Sequence, residues 1–160
     1  MKYQMREQMF AIGDDYWIET DAGQPVFKVD GKALRIRKTL ILETPEGDEV
    51  FTIQKKIVSI RDTMEIERDG RSVATVAKAL LAPLRDRFSI DVEDGEGMEA
   101  KGNIVDHEYS IERGGNKVAQ VSRRWFRMRD SYGVEIAEAQ DDALILAVAV
   151  CIDQMAHNVQ

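Results

Sequence analysis

Arg61-Asp62-Thr63-Met64-Glu65-Ile66-Glu67 carries apolar side chains at its fourth and sixth positions, and versions of it occur six times along the chain. The others read GDDYWIE from Gly13, RKTLILE from Arg37, RDRFSID from Arg85, DHEYSIE from Asp106 and RDSYGVE from Arg129. The starts at 13, 37, 61, 85, 106 and 129 are separated by 24, 24, 24, 21 and 23 residues. A near-constant period of this length marks a repeated supersecondary unit. The apolar pairs are Tyr16/Ile18, Leu40/Leu42, Met64/Ile66, Phe88/Ile90, Tyr109/Ile111 and Tyr132/Val134. A spacing of two puts both members on one face of a strand.

A turn signal follows each of the first five copies. Asp69-Gly70 and Gly114-Gly115 are the tightest, and both supply the positive φ that two-residue hairpins demand. The others are Asp21 to Pro25, Pro45 to Asp48, and Asp94 to Gly97. A second apolar cluster comes next, such as Val50/Phe51/Ile53 or Val118/Ala119/Val121. Each unit therefore predicts strand, turn, strand. Val73 to Leu81 is rich in Ala and Leu, yet its register with the other units predicts a strand, because strand preference is contextual. The sixth copy lacks a return strand, and an extra strand is expected from about Lys2 to Phe10. Five hairpins, a half unit and this N-terminal strand make twelve strands. A meander that long with open edges invites aggregation, and closure into a barrel removes the edges.

Ala143 to Ile152 is an unbroken run without a polar side chain. Asp141 or Asp142 suits the N-cap, which predicts a helix over 142–157. Such a helix is apolar all round and belongs in an interior. A twelve-stranded barrel is too wide for its own side chains to fill. The helix is expected inside it, with Ala143, Ala147 and Ala149 easing the fit. The fold class is thus all-β, a closed antiparallel barrel around one C-terminal helix, with the barrel over about 2–137 and the whole chain one domain.

Composition narrows the function. The formal charge is −7, which argues against general nucleic-acid binding and mildly against strong attachment to anionic membranes. Cys151 is the single cysteine, so no internal disulfide and no cysteine cluster can form. No stretch has the ~18–20 apolar residues of a membrane span. A cytoplasmic location is expected.

Met5 to Asp15, Val26 to Gly31, Gly102-Asn103-Ile104-Val105-Asp106-His107-Glu108-Tyr109 and Asp141 to Ala147 resemble the LURP-one-related family, in a bacterial-type form, over essentially the whole chain. The resemblance implies a twelve-stranded barrel enclosing a helix, as in tubby C-terminal domains and, by proposed similarity, phospholipid scramblases. It implies no defined catalytic or binding residue. Tubby domains bind phosphoinositides through basic side chains, so an anionic lipid ligand is an analogy at the level of fold.

Among candidate sites, Arg123-Arg124-Trp125-Phe126-Arg127-Met128-Arg129 is the most distinctive. Read as a strand, it places Arg123, Trp125, Arg127 and Arg129 on one face and Arg124, Phe126 and Met128 on the other. The first face could grip a phosphate or lipid headgroup by bidentate contacts and an interfacial Trp. The plainer role is a wall of arginines paired with nearby acids. Arg61-Asp62, Arg85-Asp86 and Arg129-Asp130 read as strand-entry residues. Asp91 to Glu99 is acidic, but Gly95 stands where a calcium loop needs a ligand, so it reads as a solvated hairpin tip. Gly95-Glu96-Gly97 lacks the Lys and helix of a phosphate loop. His107 and His157 have no histidine partner at ligand spacing, and Asp153 with His157 suits an i, i+4 contact at the helix end. Cys151 reads as a small buried hydrophobe.

No cofactor, metal or catalytic constellation is expected. The function read from sequence is a non-enzymatic binding or adaptor module, with an anionic phospholipid or phosphate ligand. A protein-protein scaffold is the alternative.

Overall fold

A computed structural model describes residues 1–6, 15–32, 39–79, 87–126 and 130–157. The strands are β1 (Lys2–Arg6), β2 (Tyr16–Thr20), β3 (Pro25–Lys32), β4 (Thr39–Glu43), β5 (Glu49–Lys55) and β6 (Thr63–Arg68). They continue as β7 (Arg71–Lys78), β8 (Arg87–Val92), β9 (Met98–Asn103), β10 (Glu108–Arg113), β11 (Asn116–Ser122) and β12 (Ser131–Ile136). Each strand pairs antiparallel with the next, and β1 pairs with β12 from Lys2↔Glu135 to Arg6↔Ser131. The barrel is closed. The Ala-rich segment is a strand, β7, as its register requires.

The repeat is visible in the backbone. The register slips between Ile18 and Glu19, Leu42 and Glu43, Ile66 and Glu67, and Ile111 and Glu112. These are the sixth and seventh positions of four copies, so the motif carries a β-bulge with it. Asp69 and Gly70 have φ of 52° and 75°, the left-handed pair of a tight hairpin turn.

The apolar positions of the repeat point inward. Ile18, Leu42, Ile53, Ile66, Ile111 and Val134 are fully buried. The alternate positions carry Lys28, Glu65, Asp91, Glu99, Lys101, Glu112 and Glu135. A barrel lying in lipid would bear an apolar band on that outer wall instead.

The helix α1 (Asp142–His157) has the boundaries its sequence predicts. Asp141 caps it, its Oδ1 accepting from the Leu144 N–H at 3.2 Å. Ile145 through Ile152 are buried on every side. Tyr3 Oη donates to Asp142 Oδ2 at 2.6 Å, which ties the closing strand to the helix start. Burial, then the bond to Asp142 and its charge, holds the Tyr3 phenol protonated far above its ordinary range.

Chain direction sorts the connections to two ends of the barrel. The tight hairpin turns and the entry to α1 lie at one end, the turn end. The connections β5–β6, β9–β10 and β11–β12 lie at the other, the loop end, toward which α1 runs. Among the described residues no helix is long and apolar enough to cross a membrane.

Candidate functional site

The segment after β11 departs from the strand reading of its sequence. Arg123–Trp125 forms a short 3-10 turn. Ser122 caps it, its Oγ accepting from the Arg124 N–H at 3.2 Å and donating to Glu108 Oε1 at 2.9 Å. The same Glu108 oxygen accepts from the Arg123 N–H at 3.1 Å and lies 3.7 Å from Arg124 Nε. Ser, Glu and the turn's own N–H groups thus satisfy one another, and a strand ladder has no claim on them.

The turn also brings the two aromatics to the same side. A Cβ on Gly133 would come within 2.7 Å of both the Trp125 and Phe126 rings. Gly133 pairs with Gln4 and Ser122 on the outer side of the sheet. Phe126 therefore lies on the outside of the wall with Trp125, and the placement of the two on opposite faces, expected from strand alternation, is corrected. Lys2 Nζ sits 4.7 Å over the Trp125 ring, close enough for a cation–π contact. Arg127 and Arg129, the remaining members of the expected basic face, lie outside the described residues, as do Arg85 and Asp86. What the structure brings together is Arg123, Arg124, Trp125 and Lys2.

Beneath this turn is a polar chain that reaches the helix. Arg123 Nη2 lies 3.0 Å from His107 Nδ1, and His107 Nε2 lies 2.7 Å from Asp153 Oδ1. A guanidinium only donates, so Nδ1 accepts and the proton on Nε2 faces the carboxylate. The side chains of His107 and Asp153 are buried, and the imidazole stacks on Tyr132 with ring centroids 4.2 Å apart. His107 sits at φ 54°, in a turn secured by Asn103 and Asp106. Asp153 thus faces the barrel wall; the side chain of His157, expected from spacing to contact it, lies outside the described residues.

Burial first, then the Asp153 carboxylate, then Cys151, push the hydroxyls of Tyr16 and Tyr109 far above the usual phenol range. Burial does the same to the Cys151 thiol. Its nucleophilic thiolate form is suppressed, as expected for a packing cysteine.

His107 is the residue that sequence reasoning undervalued. Its partner is 46 positions away. One signal was present: the second position of the repeat is Asp at 14, 62, 86 and 130, Lys at 38 and His at 107. At the turn end, a surface cleft of about 760 Å³ is lined by Phe51, Arg68, Arg71, Glu93, Asp94 and Asp141. Its charges are of both signs. Among the described residues no group of three His, Cys, Asp or Glu side chains could hold a metal ion.

The chain is similar to YxjI of Bacillus subtilis (strain 168), a protein described as uncharacterised, at 27% identity over 154 residues, covering 96% of this chain and 93% of the relative. The family model of the LURP-one-related proteins matches residues 1–153. With the match running from the first strand into the last turns of the central helix, the chain belongs to the LURP-one-related family.

Proposed function

We propose that this protein is a non-enzymatic, cytoplasmic binding module whose loop end takes an anionic headgroup or a phosphate. One observation carries the reading: the Arg123–Trp125 turn. It is built by Ser122 and Glu108 to present Arg124 outward, with 85% of that side chain exposed, beside Trp125, whose ring lies on the barrel wall under Lys2 Nζ. Guanidinium donors suit phosphate oxygens, and an indole suits the boundary between water and lipid. The helix fills the barrel lumen, which leaves the outer surface for ligands. The local charge also differs from the net charge. The five hairpin turns of the opposite end hold Asp21, Glu46, Asp48, Asp69, Glu93, Asp94 and Glu96 with Arg68 and Arg71 flanking one of them, while the described loop-end connections hold Lys56, Arg61, Arg123 and Arg124 against Asp62, Asp106 and Asp130.

The test is co-sedimentation with phosphatidylcholine vesicles carrying graded phosphatidylserine, beside titration with glycerophosphoserine and inorganic phosphate. Binding that weakens with salt, and that Arg124→Glu reduces several-fold, is the expected result. Arg123 is a poorer probe, because it also bonds His107. Failure to bind any of these probes would sink the reading. The rival reading, a protein scaffold with no such ligand, draws on Trp17, which is 40% exposed on the outer face of β2.

A further inference from the structure

The connection between β5 and β6 runs Lys56-Ile57-Val58-Ser59-Ile60-Arg61-Asp62. Ile57, Val58 and Ile60 are 70%, 86% and 96% exposed. Single exposed aliphatic side chains are ordinary, but three within four residues at the tip of one loop form a coherent apolar protrusion. The loop does not collapse onto the barrel. Its base is held by Ser59 Oγ, 3.0 Å from Thr63 Oγ1 and accepting from the Arg61 N–H at 3.3 Å, while Thr63 Oγ1 donates to the Arg61 carbonyl at 3.0 Å. Lys55 pairs with Asp62 at 3.6 Å below it. The aliphatic tip is therefore flanked by Lys56 and Arg61.

We infer that this loop is a membrane-inserting element, with Ile57, Val58 and Ile60 entering the headgroup–acyl boundary of an anionic bilayer and Lys56 and Arg61 meeting its phosphates. The inference rests on the headgroup reading and gives the phosphate its source, a lipid surface. Three observations select that occupant. The tip is aliphatic and convex, and a bilayer interface receives such a shape without a matching pocket. Its flanks are basic, which favours an anionic surface and disfavours a second copy meeting the same loop head-on. The loop shares the barrel end with the Arg123–Trp125 turn, while the acidic hairpin turns lie at the far end.

The test compares the wild-type chain, Ile57→Ser/Val58→Ser/Ile60→Ser and Arg124→Glu by partitioning onto phosphatidylcholine–phosphatidylserine vesicles. The triple serine variant should partition about tenfold more weakly or worse, and the deficit should persist at high salt, because apolar burial is not screened. Its melting curve should match wild type, since these side chains contact solvent. An environment-sensitive fluorophore on Val58→Cys gives a second readout, as buried Cys151 escapes labelling. Its emission should shift to the blue on anionic vesicles. Wild-type-like partitioning of the triple variant, or an unmoved fluorophore on bound protein, overturns the insertion and leaves the headgroup reading standing. Binding of glycerophosphoserine without vesicle binding does the same. Binding of neither removes both. A dimer that the triple variant converts to monomer in sedimentation velocity overturns the membrane as occupant in favour of a second copy.

Discussion

At the scale of single residues, the most consequential contact is between His107 and Asp153. A buried carboxylate keeps its charge only where a donor answers it, so removing one partner costs more than the bond is worth. Asp153→Ala should lower the free energy of unfolding by roughly 3 kcal/mol, read from urea midpoints. Asp153→Asn retains an acceptor and should lose less. Equal losses for the two would show that a neutral acceptor of the same volume cannot stand in for the carboxylate. A second residue-scale effect concerns pH. Tyr16, Tyr109 and Cys151 have folded-state values raised above ordinary values of 10.0, 10.0 and 9.0. In alkali the unfolded chain sheds these protons first, so the folded state binds more protons and stability falls as pH rises. Their stabilising contribution is complete below pH 9. It should begin to fall above that value through Cys151 and more steeply above pH 10, by about 1.4 kcal/mol per unit for each group titrating only in the unfolded chain. Urea midpoints that stay level from pH 8 to 11 would contradict this.

At the scale of elements, the 3-10 turn and the helix are held by different means. The turn depends on a missing side chain. Gly133→Val would drive a side chain into the space of the Trp125 and Phe126 rings and should lift the turn off the wall, at a cost of about 1–3 kcal/mol. With Trp17→Phe as background, Trp125 fluorescence should shift to the red; unchanged emission would mean the rings have another seat. The middle of the helix depends on packing. Leu146 is fully buried in the lumen, and Leu146→Ala should cost roughly 3 kcal/mol in denaturant unfolding. These elements also show where local sequence was sufficient. The boundaries of α1 were legible because an apolar run between a capping Asp and a closing polar stretch has one regular solution. The 3-10 turn was not, because alternation in Arg123 to Arg129 fits a strand as long as the competing bonds from Glu108 are unknown.

At the scale of the whole molecule, the barrel and its helix form one cooperative structure, since neither can bury its apolar face without the other. A chain ending at Asp141 should lose its cooperative thermal transition and expose apolar surface to a reporter dye; a sharp melt in that truncated chain would refute the interdependence. The closing pair β1–β12 joins residues at opposite ends of the sequence. The other strand pairs of the barrel join strands consecutive in sequence, so the closing pair is the one with the largest sequence separation.

The amino-acid sequence by itself determined the twelve strands, the hairpin turns, the helix limits and the family. Each of these is written in spacing or local chemistry: a period of two, Gly at positive φ, an apolar run with a capping Asp. Only the tertiary structure decided which side chains meet across the lumen and which face water at the rim. His107 reaches Asp153 because the fifth unit is carried around the barrel to the last turns of α1. Trp125 and Phe126 lie outside because Gly133 leaves room there. Ile57, Val58 and Ile60 look like any other apolar residues in the sequence. Their exposure follows from the ends of β5 and β6, which place them beyond the last ladder bond, where the barrel has no interior left to offer.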